Sequence, residues 1–299
     1  MDLTHLRENR RHGTQDFPVG VYRMELPAGH PILENHWHEE TEFLAVESGR
    51  AIFQIGASEY ELQAGDAIFV PGGEIHGGYP AEDSACTYTA IVFDPGMLIG
   101  GREGETARFL QHLQRGRLAL PPHFGKGTEW GERAVGRLER MFELFESADP
   151  AREMKITGEL YLLLAEFWSA GVSVSRETEA PSEARTLERL KEALKFVETN
   201  FGRKLTVREL AEAAGMSEGH FCRVFKTYMR RTPVEYVNHF RLRYAARRLS
   251  DSDATVGEAA AEAGFDNFSY FSKLFRSLYD CTPSEYRKAK AQGGRTEVR

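Results

Sequence analysis

The chain has 299 residues, 41% of them hydrophobic and 28% charged, which is enough to bury two cores and ordinary for a water-soluble protein. No apolar run approaches the roughly eighteen residues that span a bilayer, and the opening "MDLTHLRENRRHG" lacks the apolar centre of a signal peptide. Three widely spaced cysteines, Cys86, Cys222 and Cys281, argue against a disulfide framework and fit a reducing cytoplasm. The net charge of −7 is unevenly held. Residues 1–184 carry 16 Lys+Arg against 30 Asp+Glu, a balance of −14, and residues 185–299 carry 22 against 15, a balance of +7. A basic module beside an acidic one points to a polyanion as partner of the C-terminal part alone.

From about residue 19 to 94, turn signals cut the sequence into short apolar runs. "AIFQI" and "EYEL" flank "GAS" as a hairpin, "AIFV" lies between "AGD" and "PGGE", and "TYTAIVF" follows. This spacing predicts an all-β sandwich or barrel. Within it, "NHWHEETEFLAVESG" puts His36 and His38 on one face of a strand, because side chains alternate. Glu42 can share that face, and the turn "VPGGEIH" can return His76 beside them. Three imidazoles and a carboxylate suit a divalent metal such as Zn, Ni, Fe or Mn, and they serve an organic effector or barrel hydrogen bonding equally well.

Residues 95–128 are rich in Gly and Pro, and no element is predicted there. The period then becomes 3.6. "EWGERAVGRLERMFELFES" places Val135, Leu138, Met141, Phe142 and Phe145 on one stripe, and Pro150 separates it from "AREMKITGELYLLLAEFWSAG". The second helix is apolar almost all round, which fits burial within this domain or a contact between two copies. The polar "GVSVSRETEAPSEA" reads as a linker, set at 173–186.

The rest of the chain contains a duplication. "LTVRELAEAAGMSEGHFCRVFK" recurs 49 to 50 residues later as "ATVGEAAAEAGFDNFSYFSKLFR", and both copies close with Thr-Pro-x-Glu, at 232 and 282. Thr206 and Thr255 are predicted N-caps, with Glu209 and Glu258 completing capping boxes. Gly215 and Gly264 end a first helix and turn the chain into a second. Thr232 and Thr282 again precede a proline at the first helical position. The helix launched at Pro233 joins the two units.

These residues, above all "GFDNFSYFSKLFRSLYDCTPSEYR", resemble the AraC/XylS family of bacterial transcription regulators over roughly residues 187–288. The resemblance implies two helix-turn-helix units entering successive major-groove segments of promoter DNA. The family's glycine two residues before Thr-Pro is replaced by Arg230 and Asp280. The N-terminal stretch is similar to a cupin, the sensor barrel that many members carry. His36-x-His38, Glu42 and Gly49 match its first motif, and Gly65, Pro71-x-Gly73 and His76 match its second. Two departures are the spacing from Gly29 to His36, one residue too long, and Pro80 in place of an asparagine.

The expected architecture is therefore multidomain, β followed by α. A cupin-like effector-sensing barrel occupies 1–128, a helical and dimerising segment 129–172, and an all-α DNA-binding domain 187–290. Base-reading candidates are Glu218, Gly219, Cys222, Arg223 and Lys226 in the first unit and Phe268, Ser269, Ser272 and Lys273 in the second. Arg241, Arg243, Arg247, Arg248 and Arg276 are candidates for phosphate contacts. Cys222 fits a small groove-facing residue better than a redox centre. Effector candidates are His36, His38, Glu42 and His76, joined by Trp37 or Phe43, whichever faces in, and by Tyr88. The same four histidine and glutamate residues are the candidate metal ligands. The expected function is promoter-specific regulation by a homodimer in the cytoplasm, controlled by a small-molecule effector, with a carbohydrate in view. RNA polymerase is a further partner if the protein activates. The competing readings are a metal-dependent cupin enzyme fused to a DNA-binding domain, and a regulator whose input is a partner protein.

Overall fold

The structure is a computed structural model that describes residues 7–8, 10–28, 32–81, 84–100, 103–114, 118–171, 174–175, 181–251 and 254–291. The chain divides into two compact units, residues 7–180 and 181–299.

The N-terminal unit is built on antiparallel strands: β1 (Val19–Leu26), β2 (Leu33–His36), β3 (Thr41–Ile55), β4 (Ser58–Gln63), β5 (Asp66–Val70), β6 (His76–Pro80) and β7 (Cys86–Phe93). The predicted "GAS" hairpin pairs Ile55 with Ser58. Strand β3 belongs to both halves of the barrel. Its first part lies between β7 and β5, and its second part between β4 and β6, which in turn pairs with β2. The changeover falls where the register slips between Val46 and Ser48. Gly49 there has φ 78°, and a Cβ on it would come 1.8 Å from the Ala85 carbonyl oxygen, so only glycine fits the bend.

Alternation along β3 gives the unit two cores. Leu44, Val46, Ala51 and Phe53 point into the barrel with Leu62, Ile68, Val70 and Tyr88. Phe43 and Ala45 point the other way with Phe69, Ile91 and Phe93, and two helices cover them. These helices, α3 (Glu129–Glu146) and α4 (Arg152–Ser169), form a second layer on the sheet. From the predicted stripe, Val135, Leu138 and Met141 are buried, and Phe142 and Phe145 are half-buried. On α4, Ile156, Leu160, Leu163, Leu164 and Phe167 are buried in the same core. Leu162, at 47% exposure, stays on the outer face, and Trp168, at 39%, flanks the buried stripe with its ring stacked on Phe109 at 4.8 Å. Arg137 ties the two helices together, reaching Glu159 at 3.0 Å and Glu166 at 3.1 Å. The stretch without predicted elements contains α1 (Gly96–Ile99), α2 (Glu105–Gln114), β8 (Leu118–Ala119) and β9 (His123–Gly125), the last extending the sheet beside β5. Strand β10 (Val174–Ser175) pairs with β8.

The C-terminal unit is helical: α5 (Pro181–Asn200), α6 (Val207–Ala213), α7 (Glu218–Met229), α8 (Pro233–Asp251), α9 (Val256–Glu262), α10 (Phe268–Tyr279) and α11 (Pro283–Ala291). Helix α5 starts inside the expected linker. Residues 181–186 are therefore helical, because the turn-poor "PSEARTLERL" continues into the apolar period of the helix. Residues 173 and 176–180 of that linker lie outside the described residues. Phe221 and Phe225 centre the first half of the unit. Phe271 and Phe275 centre the second, packed with Leu242, Ala245, Ala246 and Leu249 of α8.

The departures at Arg230 and Asp280 have a structural counterpart. They end α7 and α10 in the left-handed region, at φ 56° and φ 54°, where the resemblance implies glycine. A side chain in that conformation costs about 1 kcal/mol. Arg230→Gly and Asp280→Gly are each expected to raise the stability of the full chain by up to about 1 kcal/mol. Chemical denaturation followed by circular dichroism measures this, and a loss of stability in both variants would contradict it.

Candidate functional site

The barrel brings the predicted histidines together. His36 ends β2 and His76 begins β6, and the two are register partners across that pair. His38 follows on the same side of the chain, and Glu42 points inward from β3. One ligand atom from each of His36, His38, Glu42 and His76 lies within 4.8 Å of all the others. Glu42 Oε2 is 3.0 Å from His38 Nε2 and 3.0 Å from His76 Nε2. The His76 contact is not aligned as a hydrogen bond, so His76 Nε2 is a buried polar atom without a partner.

The other ring nitrogens explain this geometry. The Nδ1 atoms of His36, His38 and His76 lie 2.9, 3.0 and 2.9 Å from the carbonyl oxygens of Glu34, Glu40 and Glu74. A carbonyl only accepts, so each Nδ1 carries its proton and donates it. Each ring is thereby oriented with Nε2 toward the centre, the way backbone carbonyls orient metal-binding histidines. Burial favours a carboxylic acid at Glu42, but the hydrogen bond of His38 and the close charges of His76 and His38 override it and hold the carboxyl well below its usual range. Burial and the neighbouring His76 push His36 down to about 3, so it is neutral. Burial opposes charge on His38 too, but Glu42, Glu40 and Glu8 outweigh it and raise its affinity for a proton. Three inward nitrogens and a buried carboxylate, with one donor atom unpartnered, fit a divalent cation.

The other effector candidates are placed differently. Phe43 points into the core between sheet and helices, away from the histidines. Trp37 alternates to the other side of the chain from His36 and His38, and the Arg7 guanidinium lies over its ring at 5.2 Å. Tyr88 is in the barrel core, and its hydroxyl donates to the Ile32 carbonyl at 3.2 Å. Sequence reasoning missed Glu8, His12 and Tyr22, which border the cluster. His12 is 3% exposed, its Nδ1 is 3.0 Å from the Tyr22 hydroxyl, and its ring is 5.3 Å from that of His38. They lie in or beside an aperiodic N-terminal segment, and only its histidine content marked it. On the opposite face of β3, a recess of about 380 Å³ is walled by Phe43, Ile91, Leu138 and Phe142 and rimmed by Glu47, Glu139 and Glu143.

The DNA-facing candidates sit on two matching scaffolds. Thr206 Oγ1 accepts from the Glu209 amide at 3.2 Å, and Glu209 Oε2 accepts from the Thr206 amide at 2.9 Å. Thr255 and Glu258 repeat this at 3.2 and 2.8 Å. Thr232 with Glu235, and Thr282 with Glu285, form the same reciprocal pair. Gly215 and Gly264 take the expected left-handed conformation, at φ 61° and φ 82°. On α7, Glu218, Gly219, Arg223 and Lys226 are exposed and Cys222 is half-buried. On α10, Phe268, Ser269 and Lys273 are exposed and Ser272 is half-buried. Phe268 is 53% exposed, unusual for a phenylalanine with no barrel or core to fill. Tyr270, also exposed, was not among the expected readers, and its hydroxyl accepts from Asn238 Nδ2 at 3.1 Å.

Two of the phosphate candidates are engaged within the protein. Arg241 is half-buried, and its guanidinium donates to the carbonyls of Phe201 at 2.9 Å and Arg203 at 2.7 Å. It braces the loop between α5 and α6, a correction to its expected role. Arg248 makes two contacts with Glu262, at 2.6 and 3.0 Å. Arg247 and Arg276 are exposed and Arg243 is half-buried.

The capping glutamates set a pH dependence. Hydrogen bonds from the backbone and hydroxyl of the capping threonine lower Glu235, Glu258 and Glu285, and with Arg203 they lower Glu209 to about 2. A carboxyl depressed in the folded state stabilises above its unfolded value, near 4.5, and that stability is lost as pH falls through the folded value. The denaturation midpoint is expected to decline between pH 4.5 and 2, and less steeply in Glu209→Gln. An identical decline in that variant would contradict the assignment.

The two halves match separate family models, a cupin domain over residues 22–92 and a helix-turn-helix domain over residues 210–289. The chain is an AraC-type helix-turn-helix transcriptional regulator with an N-terminal cupin domain. It is 26% identical over 288 residues to the HTH-type transcriptional regulator YdeC of Bacillus subtilis (strain 168), covering 95% of this chain and 96% of that protein. It is 23% identical to the HTH-type transcriptional activator RhaS of Citrobacter koseri, covering 93% and 97%. A crystal structure of an AraC-type transcriptional regulator from Chromobacterium violaceum is 29% identical over 37% of this chain and 99% of that one, with a TM-score of 0.35. These relatives are transcriptional regulators, not enzymes. No helix among the described residues is long and apolar enough to cross a membrane.

Proposed function

We propose that this regulator binds promoter DNA sequence-specifically through α7 and α10, as a cytoplasmic homodimer, and takes a divalent cation in the barrel as its input. The observation that carries the cation is the orientation of His36, His38 and His76, each turned by a backbone carbonyl so that Nε2 faces Glu42. When bound, the cation supplies positive charge that holds these four side chains in one place. A carbohydrate is less well supported, because Trp37 lies under Arg7 and the Tyr88 hydroxyl is spent on Ile32. Dimerisation is supported by Leu162, apolar and exposed on the face of α4 opposite its buried stripe. RNA polymerase is the further partner if the outcome is activation.

The test is selection of genomic DNA by the full chain with Zn²⁺, Mn²⁺ or Ni²⁺ and again with a chelator. Enrichment of a defined site whose occupancy changes with the cation supports the reading. Enrichment unaffected by every cation would move the input elsewhere, and no enrichment would remove the promoter-binding role.

A further inference from the structure

The segment before β1 is laid across the histidine cluster and brings a second carboxylate to it. Arg7 forms a bridge with Trp37, and the Glu8 amide donates to the Trp37 carbonyl at 2.9 Å. This backbone contact sets Glu8 directly beside the strand that carries His36 and His38. Its side chain is only 9% exposed, and Oε2 lies 3.4 Å from His36 Nε2 and 3.9 Å from His12 Nε2. Glu8 Oε1 and His12 Nε2 are buried without hydrogen-bond partners. Ligand atoms of Glu8, His12 and His38 also lie within 4.8 Å of one another, so the segment's donor group adjoins the barrel's through His38.

A buried carboxylate oxygen without a donor costs free energy, and Glu8 Oε1 has none among the described residues. The Nδ1 of His36 donates to Glu34, which leaves its Nε2 as a lone pair facing a carboxylate. Two such acceptors at 3.4 Å repel unless a proton or a metal cation stands between them. Neighbouring ligands around one metal ion, with bonds of about 2.1 Å to nitrogen or oxygen, sit about 3 Å apart. The separation of Glu8 Oε2 from His36 Nε2 is close to that spacing. Two carboxylates, Glu8 and Glu42, also balance the charge of a divalent ion when the imidazoles are neutral.

We propose that Glu8 is a further ligand of the barrel cation, contributed by the N-terminal segment, with His12 held beside it by Tyr22. The inference rests on the cation reading above. Cation binding then fastens Glu8 and His12 over the cluster, and loss of the cation releases them.

The test uses the full chain and Zn²⁺ or Mn²⁺ alone, with affinity by calorimetry and backbone protection by hydrogen exchange. The wild type is expected to bind one cation and to slow exchange across residues 7–13, including the Glu8 amide. Glu8→Gln is expected to weaken binding at least tenfold, the low end for removing a supporting group at such a site, and to lose the protection. Glu8→Ala, exposed to different folding risks, should do the same, and melting curves show that both are folded. His38→Ala should abolish binding and so locate the cation in the cluster. If both Glu8 variants bind as tightly as the wild type and keep the protection, Glu8 is not a ligand and the barrel cation stands. If the wild type binds neither ion, both readings fall.

Discussion

DNA affinity of the full chain is expected to fall about a thousandfold when salt rises from 50 to 200 mM, if about six phosphates are neutralised. Each neutralised phosphate releases bound counterions, and their release is worth less as bulk salt rises. The balance of +7 over residues 185–299 supplies the charge, and Lys226, Arg247, Lys273 and Arg276 present it on exposed positions. Arg241 and Arg248 are engaged with protein groups, so replacing Arg241 should lower stability more than it lowers the salt slope. Titrations at several salt concentrations read the slope directly. A flat dependence would mean that the basic surface is not the contact surface.

Breaking α8 is expected to disable both helix-turn-helix units together. Ala245 lies in the middle of this helix and is fully buried against the second unit. Proline there removes a helix hydrogen bond and clashes with the preceding turn, costing about 3 kcal/mol or more. Specific binding by Ala245→Pro should then be lost at both base-pair clusters, which the joining helix is expected to hold about 34 Å apart, one turn of DNA. Arg223→Ala, by contrast, should relax preference at one cluster, at a cost of about 1 to 3 kcal/mol, and Lys273→Ala should affect only the other. Selected DNA sequences for each variant give the answer. Unchanged affinity in Ala245→Pro, or a shared set of base pairs disturbed by Arg223→Ala and Lys273→Ala, would show the DNA-facing surface to be elsewhere.

The parts of the fold legible in the sequence were those in which local chemistry repeats. Capping pairs such as Thr206 with Glu209 are set by residues three apart, and the same pattern occurs at 255, 232 and 282. The histidine cluster was legible for a similar reason: alternation puts His36 and His38 on one side, and the turn before His76 is short. What stayed hidden depends on contacts between distant segments. Strand β9 is three residues long and exists because β5 offers it an edge. Glu8 reaches the cluster through one backbone contact with Trp37, which no periodicity announces. Arg241 looked like any other basic residue on an Arg-rich helix until its carbonyl partners, about forty residues earlier in the chain, were in place.

Strand β3 makes the barrel and the helical layer two sides of one rocker. Glu42 faces the histidines, and its neighbour Phe43 faces the helices, with its ring 6.0 Å from that of Phe167 on α4 and 6.1 Å from that of Phe93. A cation held by Glu42 would load a strand whose next side chain, Phe43, is packed in the helical core. Close-packed interiors transmit displacements, so a shift of Phe43 would be passed to Phe167. The path from the barrel's centre to α4 is thus two side chains long, Phe43 and Phe167.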